Sequence, residues 1–158
     1  MKTRLLAFDQ ATRTTGFAIF EDDHFIDVNK FTLTDEDIGN RLVKFRDKVI
    51  RLIKDNNINK VAMEEIQLQQ NVDTFKKLAM VYGTLLEIIC ELELPYEIIS
   101  SNTWKSKCKI KKQGRSSEKK QAQSFVTNLY GIKVTEDESD AICIGYCSLN
   151  TKKDFCWS

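Results

Sequence analysis

The chain is predicted to be an α/β protein with a mixed five-stranded sheet, three antiparallel strands followed by parallel ones, flanked by helices. Two observations predict this. Three short apolar runs separated by turn residues open the sequence and read as an antiparallel meander. After them, stretches with helical periodicity alternate with short apolar runs, the pattern by which parallel strands are joined. Length and composition fit one domain over residues 1–158: 42% of residues are hydrophobic and 30% charged, and neither a low-complexity block nor an internal repeat divides them.

Lys2 to Phe8 forms the first expected strand, Thr15 to Phe20 the second and Phe25 to Leu33 the third, with "EDDH" as the turn between the last two. Thr34 is the expected N-cap of a long amphipathic helix in which Ile38, Leu42, Phe45, Val49, Leu52 and Ile53 recur at helical spacing until "KDNN". "KVAMEEI" is a short fourth strand. A second helix starts near Asn71 and Asp73, with Phe75, Leu78, Ala79, Tyr82, Leu86 and Ile89 on one face. Pro95 opens a fifth strand, "YEIIS". Ser116 or Ser117 is expected to cap a helix through about Tyr130, and "TEDESDAICIGYCSL" starts the last one. The expected order is βββ, α, β, α, β, α, α.

Composition removes several functional classes. No apolar stretch approaches the roughly 18 to 20 residues that span a bilayer, and the N-terminus enters a strand pattern without a signal-peptide layout, so a soluble, cytoplasmic protein is expected. The five cysteines, Cys90, Cys108, Cys143, Cys147 and Cys156, form no C-x-x-C pair and are expected to be reduced, packing as small hydrophobes. Structural zinc prefers closely paired ligands and is disfavoured. His24 is the single histidine, in the expected hairpin turn, so nucleophilic triads have little to work with.

The formal charge of +1 is unevenly spread. Ser101 to Lys120, "SNTWKSKCKIKKQGRSSEKK", carries eight Lys or Arg against one Glu, leaving sixteen basic and 22 acidic residues elsewhere. A basic segment on an acidic body points to a polyanion such as nucleic acid; a solvated loop is the competing explanation.

The acidic residues carry the chemistry. Asp9 ends the first apolar run; Glu64 and Glu65 close "KVAMEE"; Asp137 and Asp140, three apart, share one face of the last helix. Each has a local explanation: Asp9 as a turn residue, Glu64 as a solvated strand end, Asp137 as an N-cap and Asp140 as a first-turn acid. In an open sheet, however, sites form at the carboxyl ends of strands, and parallel neighbours would set Asp9 and Glu64 side by side. Gathered carboxylates repel unless a hard divalent cation neutralises them, and oxygen-only ligation suits Mg²⁺ or Mn²⁺.

Four segments in order then resemble the RuvC family. "FDQATRTTGFAIF" resembles its opening strand, Asp, turn and Thr-Gly-aromatic. "VAMEEIQLQQNVDTFKKLAMVYG" resembles the strand-end Glu before a helix with Asn-x-Asp-Ser/Thr. "GRSSEKKQAQ" and "DESDAICIG" resemble its Gly-x-Ala/Ser-Glu-Lys stretch and Asp-x-x-Asp-Ala ending. The resemblance implies an RNase H-like fold and a homodimeric Holliday-junction resolvase that cuts four-way or other branched DNA by paired nicks, leaving 5′ phosphate and 3′ hydroxyl. Its catalytic acids fall on Asp9, Glu64, Asp137 and Asp140. They would hold two Mg²⁺, with Mn²⁺ able to substitute, roughly 3.5 to 4 Å apart.

The family's basic contacts fall on Lys105 and Lys119, with Lys107, Lys109, Lys111, Lys112, Arg115 and Arg13 as further DNA contacts. The helix from Asn71 to Leu92 is the candidate dimer interface, with Ala79 and Gly83 permitting close approach; core packing competes for the same residues. A branch-migration motor as partner is left open. Gln10 and Ala11 replace the family's Pro-Gly in a turn that Thr12 and Thr14 are expected to close. Gln67 stands where cellular members tend to carry an aromatic, which with the lysine-rich loop implies a phage-type member acting in a bacterial cytoplasm. Three rival readings share parts of this pattern. "DQATRTTG" also resembles the phosphate loop of actin-like kinases, which need two such domains. An RNA–DNA hybrid ribonuclease would use the same acids, and a non-cleaving branched-DNA-binding module would keep the basic segment with no need of the four acids.

Overall fold

The structure is a computed structural model that describes residues 1–151. Its elements run β1 (Arg4–Asp9), β2 (Thr14–Glu21), β3 (His24–Thr32), α1 (Ile38–Asp55), β4 (Lys60–Glu64), α2 (Val72–Glu91), β5 (Tyr96–Ile99), α3 (Ser101–Lys107), α4 (Arg115–Tyr130) and α5 (Glu136–Asn150). The sheet order is β3-β2-β1-β4-β5, antiparallel across the first three strands and parallel from β1 to β4 and β4 to β5. This is the expected mixed sheet.

Alternation along the strands sends side chains to two separate cores. Leu6, Phe8, Phe17, Ile19, Val61 and Met63 face α1 and α2, burying Phe45, Val49, Leu85 and Ile88. Leu5, Ala7, Ala18, Phe20 and Ala62 face α3, α4 and α5. Ala7 is the register partner of both Ala18 and Ala62, so three alanines form one row across the centre of the sheet. Over this small-residue face lies α5, whose residues from Ala141 to Gly145 are all buried.

Two glycines set how closely α5 approaches. A Cβ on Gly16 in β2 would overlap the Asp137 backbone carbonyl, and one on Gly145 would overlap the Phe20 ring. Gly16 is also the register partner of Asp9.

Several boundaries differ from the sequence reading. His24 belongs to β3 and pairs with Glu21, while Asp22 takes the left-handed φ of 52° that closes the hairpin. Asp37, not Thr34, caps α1 by accepting from the Asn40 N–H. Gly114, at φ 91°, precedes α4 where Ser116 or Ser117 was expected; the Ser117 hydroxyl is committed to Gln113 instead. Thr135 caps α5 in a reciprocal box with Glu138, which places Asp137 inside the first turn rather than at the cap. The seven-residue helix α3 was not anticipated. In α2 the buried residues are Val81, Leu85, Ile88 and Ile89; of the expected face only Ile89 is buried, because the inward stripe runs through Val81 and Leu85 rather than Tyr82 and Leu86 and no residue before Val81 is fully buried. Cys108, Cys143 and Cys147 are buried free thiols and Cys90 is an exposed one; Cys156 lies outside the described residues. Among the described residues, no helix is long and apolar enough to cross a membrane.

Candidate active site

Strand parity and register assemble the acidic site. Asp9 follows Leu5 and Ala7 on the α5 side of β1, and Glu64 follows Ala62 on the same side of β4. Since Phe8 is level with Met63 in the parallel β1–β4 pair, the two carboxylates stand next to each other at adjoining strand ends. The first turn of α5 descends on the same spot, because Gly16, opposite Asp9, leaves room for the Asp137 backbone. Asp140 follows one turn later.

The electrostatics register this convergence. Asp9 retains some surface exposure, yet it is densely surrounded by protein. Its carboxyl is pushed well above the usual range, first by desolvation and then by Asp140, Glu64 and Asp137, with Lys119 opposing. Asp140 is raised to about 7 by desolvation and by Glu64, against the pull of Lys119 and Lys105. Desolvation also raises Glu64, opposed by a hydrogen bond from Trp104 and by Lys105. One set of charges therefore links Asp9, Glu64, Asp137, Asp140, Lys105 and Lys119.

An oxygen-only donor set with this much unrelieved repulsion fits a hard divalent cation. Among the described residues no three His, Cys, Asp or Glu side chains stand as a ready-made ion cage. The fit rests on the mutual repulsion and donor chemistry, since carboxylates that repel hold apart and rotamer changes can bring their oxygens together.

The loop after Asp9 is closed differently from expectation. Buried Thr15 accepts from the Ala11 N–H at 3.2 Å, while the Thr14 hydroxyl pairs with Thr32. Arg41 of α1, also buried, donates to the Thr12 carbonyl at 3.2 Å. The Gln10 amide continues the sheet beyond the strand ends: its Nε2 donates to the Glu64 carbonyl at 2.7 Å, and the Glu64 N–H donates back at 3.3 Å. On the side-chain side, the Trp104 Nε1–H donates to Glu64 Oε2 at 2.6 Å. Neither Gln10 nor Trp104 was singled out from sequence as a partner of Glu64.

The basic residues divide into two groups. Lys119 on α4 pairs with Glu136 Oε2 at 2.6 Å, and Lys105 on α3 pairs with Glu118 at 3.6 Å, both at the rim of the acids. Lys107, Lys109, Lys111, Lys112 and Arg115 are exposed along α3, the following loop and the start of α4. That loop is anchored: the Lys111 N–H donates to Gln121 Oε1 at 2.8 Å, and Gln121 Nε2 donates to the Lys111 carbonyl at 3.0 Å. Arg13 turns instead toward the residues before α1, donating to the Thr34 carbonyl at 3.4 Å with Glu36 at 3.8 Å.

Several known proteins resemble this chain over most of its length. The crossover junction endodeoxyribonuclease RuvC of Acinetobacter baylyi is 26% identical over 149 residues, covering 90% of this chain and 81% of that protein. Its counterpart in Ehrlichia chaffeensis is 27% identical over 159 residues, covering 96% and 99%. The structure of T. thermophilus RuvC in complex with Holliday junction substrate superposes with a TM-score of 0.75 at 14% identity, over 92% of this chain and 91% of that one. A Fowlpox virus resolvase bound to Holliday junction DNA gives 0.58 at 13% identity, over 94% and 100%. These likenesses establish an RNase H-like resolvase fold. The family model for crossover junction endodeoxyribonuclease RuvC matches residues 5–148, nearly the whole chain, and the protein belongs to that family.

Proposed function

We propose that this protein is a metal-dependent, structure-specific DNA endonuclease that resolves Holliday junctions by paired nicks, acting as a single nuclease domain over residues 1–158. The observation that carries the reading is the convergence of four carboxylates from β1, β4 and α5 beside the lysines of α3 and α4. A non-cleaving module gains nothing from such mutual repulsion.

In this reading Asp9, Glu64, Asp137 and Asp140 hold two Mg²⁺, for which Mn²⁺ can substitute. The bound cations would activate water and neutralise charge on the leaving oxygen. Lys119 and Lys105 receive the scissile phosphate at the rim, releasing their carboxylate partners as the phosphate arrives. Hydrolysis joins the oxygen of water to phosphorus and breaks the bond to the 3′ oxygen, leaving a 5′ phosphate and a 3′ hydroxyl. The exposed Lys107, Lys109, Lys111, Lys112 and Arg115 grip the DNA backbone in a salt-sensitive way. Arg13, held toward α1, acts at most as a peripheral contact.

Paired nicks require two sites, and a two-fold homodimer presents them to like-oriented strands. Support for α2 as the interface comes from exposed Val72 and Met80 and from Gly83, where a Cβ would meet nothing within 4 Å. We assign the activity to the cytoplasm, where the homologous bacterial enzymes would meet recombining DNA.

The test is nicking of a synthetic four-way junction, a linear duplex and an RNA–DNA hybrid, with Mg²⁺ or EDTA, by wild type and Asp9→Asn. Paired Mg²⁺-dependent nicks confined to the junction and lost in the variant are expected. Junction binding without cutting in any divalent metal would refute the assignment, as would preferential cleavage of the hybrid's RNA strand.

A further inference from the structure

The hydrogen bond from Trp104 to Glu64 goes beyond what packing of an aromatic ring requires. Helix α3 begins directly after β5, with the Ser100 side chain accepting from the Thr103 N–H. Ile99 of β5 is the register partner of Glu64, and the Glu65 N–H donates to the Ile99 carbonyl at 2.9 Å. The start of α3 is thereby tied to the strand end that carries Glu64. One turn in, Trp104 is 2% exposed and its Nε1–H lies 2.6 Å from Glu64 Oε2. That is short for N–H···O and in keeping with a charge-assisted bond.

An indole N–H donates and never accepts, so it favours the ionised carboxylate and occupies one of its two oxygens. Gln10 fixes the Glu64 backbone from the other side through both its N–H and its carbonyl. The Glu64 backbone and Oε2 thus each carry a hydrogen bond, whereas none of these bonds uses Oε1. Lys105, the next residue, lies with its Nζ 5.5 Å from the centre of the same indole ring, so α3 brings an orienting donor and a phosphate-facing cation to the site on successive residues.

We propose that Trp104 is a positioning residue for metal binding: its indole N–H holds Glu64 by Oε2, so that Glu64 offers Oε1 as a single-oxygen ligand to a divalent cation. This rests on the reading of Glu64 as a metal ligand. Loss of a donor that orients a ligand typically costs about 10- to 100-fold in metal affinity.

Two substitutions separate orientation from packing. Trp104→Phe keeps most of the ring and loses the donor. Trp104→His loses the benzene ring but keeps a donor, since the imidazole Nε2 falls where the indole Nε1 lies. Mn²⁺ binding to DNA-free protein is measured from the electron paramagnetic resonance of free Mn²⁺ at about pH 8, where histidine is neutral, with Glu64→Gln as control and an unfolding midpoint for each variant. Trp104→Phe is expected to bind Mn²⁺ about 10-fold more weakly. It should need correspondingly more Mg²⁺ for half-maximal junction cleavage, while its rate at saturating Mg²⁺ falls far less. Trp104→His, though less stable, should bind Mn²⁺ more tightly than Trp104→Phe. Wild-type affinity in Trp104→Phe, or affinities that simply follow the unfolding midpoints, would overturn the proposal and leave Trp104 as a packing residue. Undiminished binding by Glu64→Gln would instead remove the premise that Glu64 is a ligand.

Discussion

Neutralising Asp140 should stabilise the metal-free protein while destroying its activity. The carboxyl sits at about 7 against a usual 3.8, because burial and Glu64 disfavour its charge. The sign follows from linkage: between about pH 4 and pH 7 the folded state holds a proton that the unfolded chain has released. Stability from this group is therefore fully present below about pH 4, declines as pH rises, and is gone above about pH 7. At 1.36 kcal/mol per pK unit, the full cost of ionising Asp140 in the fold approaches about 4 kcal/mol.

Asp140→Asn keeps the shape and removes the charge. The gain on removing the charge is smaller than that full cost, because water entry and side-chain rotation can relieve part of the penalty on a buried ion. A gain of about 1–2 kcal/mol at about pH 8 in EDTA is expected, raising Tm by about 3–6 °C for a domain of this size. Near pH 4 the wild-type carboxyl is protonated and the gain should vanish. Saturating Mg²⁺ should stabilise the wild type strongly and the variant weakly, and junction cleavage by the variant should be lost. Thermal melts in EDTA at the two pH values check this. A variant less stable than wild type at about pH 8, or an equal gain at both pH values, would refute the claim that charge repulsion at the site limits stability.

Other expectations follow from packing and charge. Gly16→Ala should cost about 2–3 kcal/mol in urea unfolding, because the new Cβ meets the Asp137 backbone, and Gly145→Ala should cost a similar amount, because the Phe20 ring it meets is fully buried against Phe25. Gly16→Ala should impair cleavage more, since it displaces the acid-bearing turn of α5. Thr135→Ala removes the α5 capping box and should cost about 1 kcal/mol, read as a Tm lower by about 2–4 °C. Replacing Lys111 and Lys112 with alanine should flatten the dependence of log junction affinity on log salt by about 0.9 per lost phosphate contact, with little change in cleavage rate at low salt. An unchanged slope would remove that loop from the DNA contact surface.

The strands and the acids were legible because both depend on short-range pattern. Period-two alternation marks the sheet, and an Asp or Glu directly after an apolar run marks a strand end wherever that strand is placed. Capping was less legible where two signals compete: two serines near α4 suggest a cap, but Gly114 reaches a φ of 91° that starts the helix two or three residues earlier. Helix α3 was hidden by its length and by its lysines, since Ser101 and Trp104 are its only fully buried residues and the latter reads as an isolated aromatic in a basic run. The bonds from Gln10 and Trp104 to Glu64 span 54 and 40 residues of sequence, and no local pattern encodes them. They became visible only once β1, β4 and β5 were placed side by side.

Core composition and site chemistry are joined through α5. The sheet face toward α1 and α2 carries Phe8, Phe17 and Met63, whereas the face toward α5 carries alanine at three neighbouring positions and glycine opposite Asp9. Larger residues in that row would contribute more buried area, at roughly 0.8 kcal/mol per methylene. They would also lift α5 off the sheet and carry Asp137 and Asp140 away from Asp9 and Glu64. The small residues thus forgo hydrophobic stabilisation to bring like charges together, a choice that stability alone opposes twice, once in lost burial and once in repulsion. The first cost falls at the centre of the sheet and the second at its strand ends, where a bound divalent cation would offset it. The same geometry that makes the metal-free site destabilising is what would give the proposed site its affinity for metal.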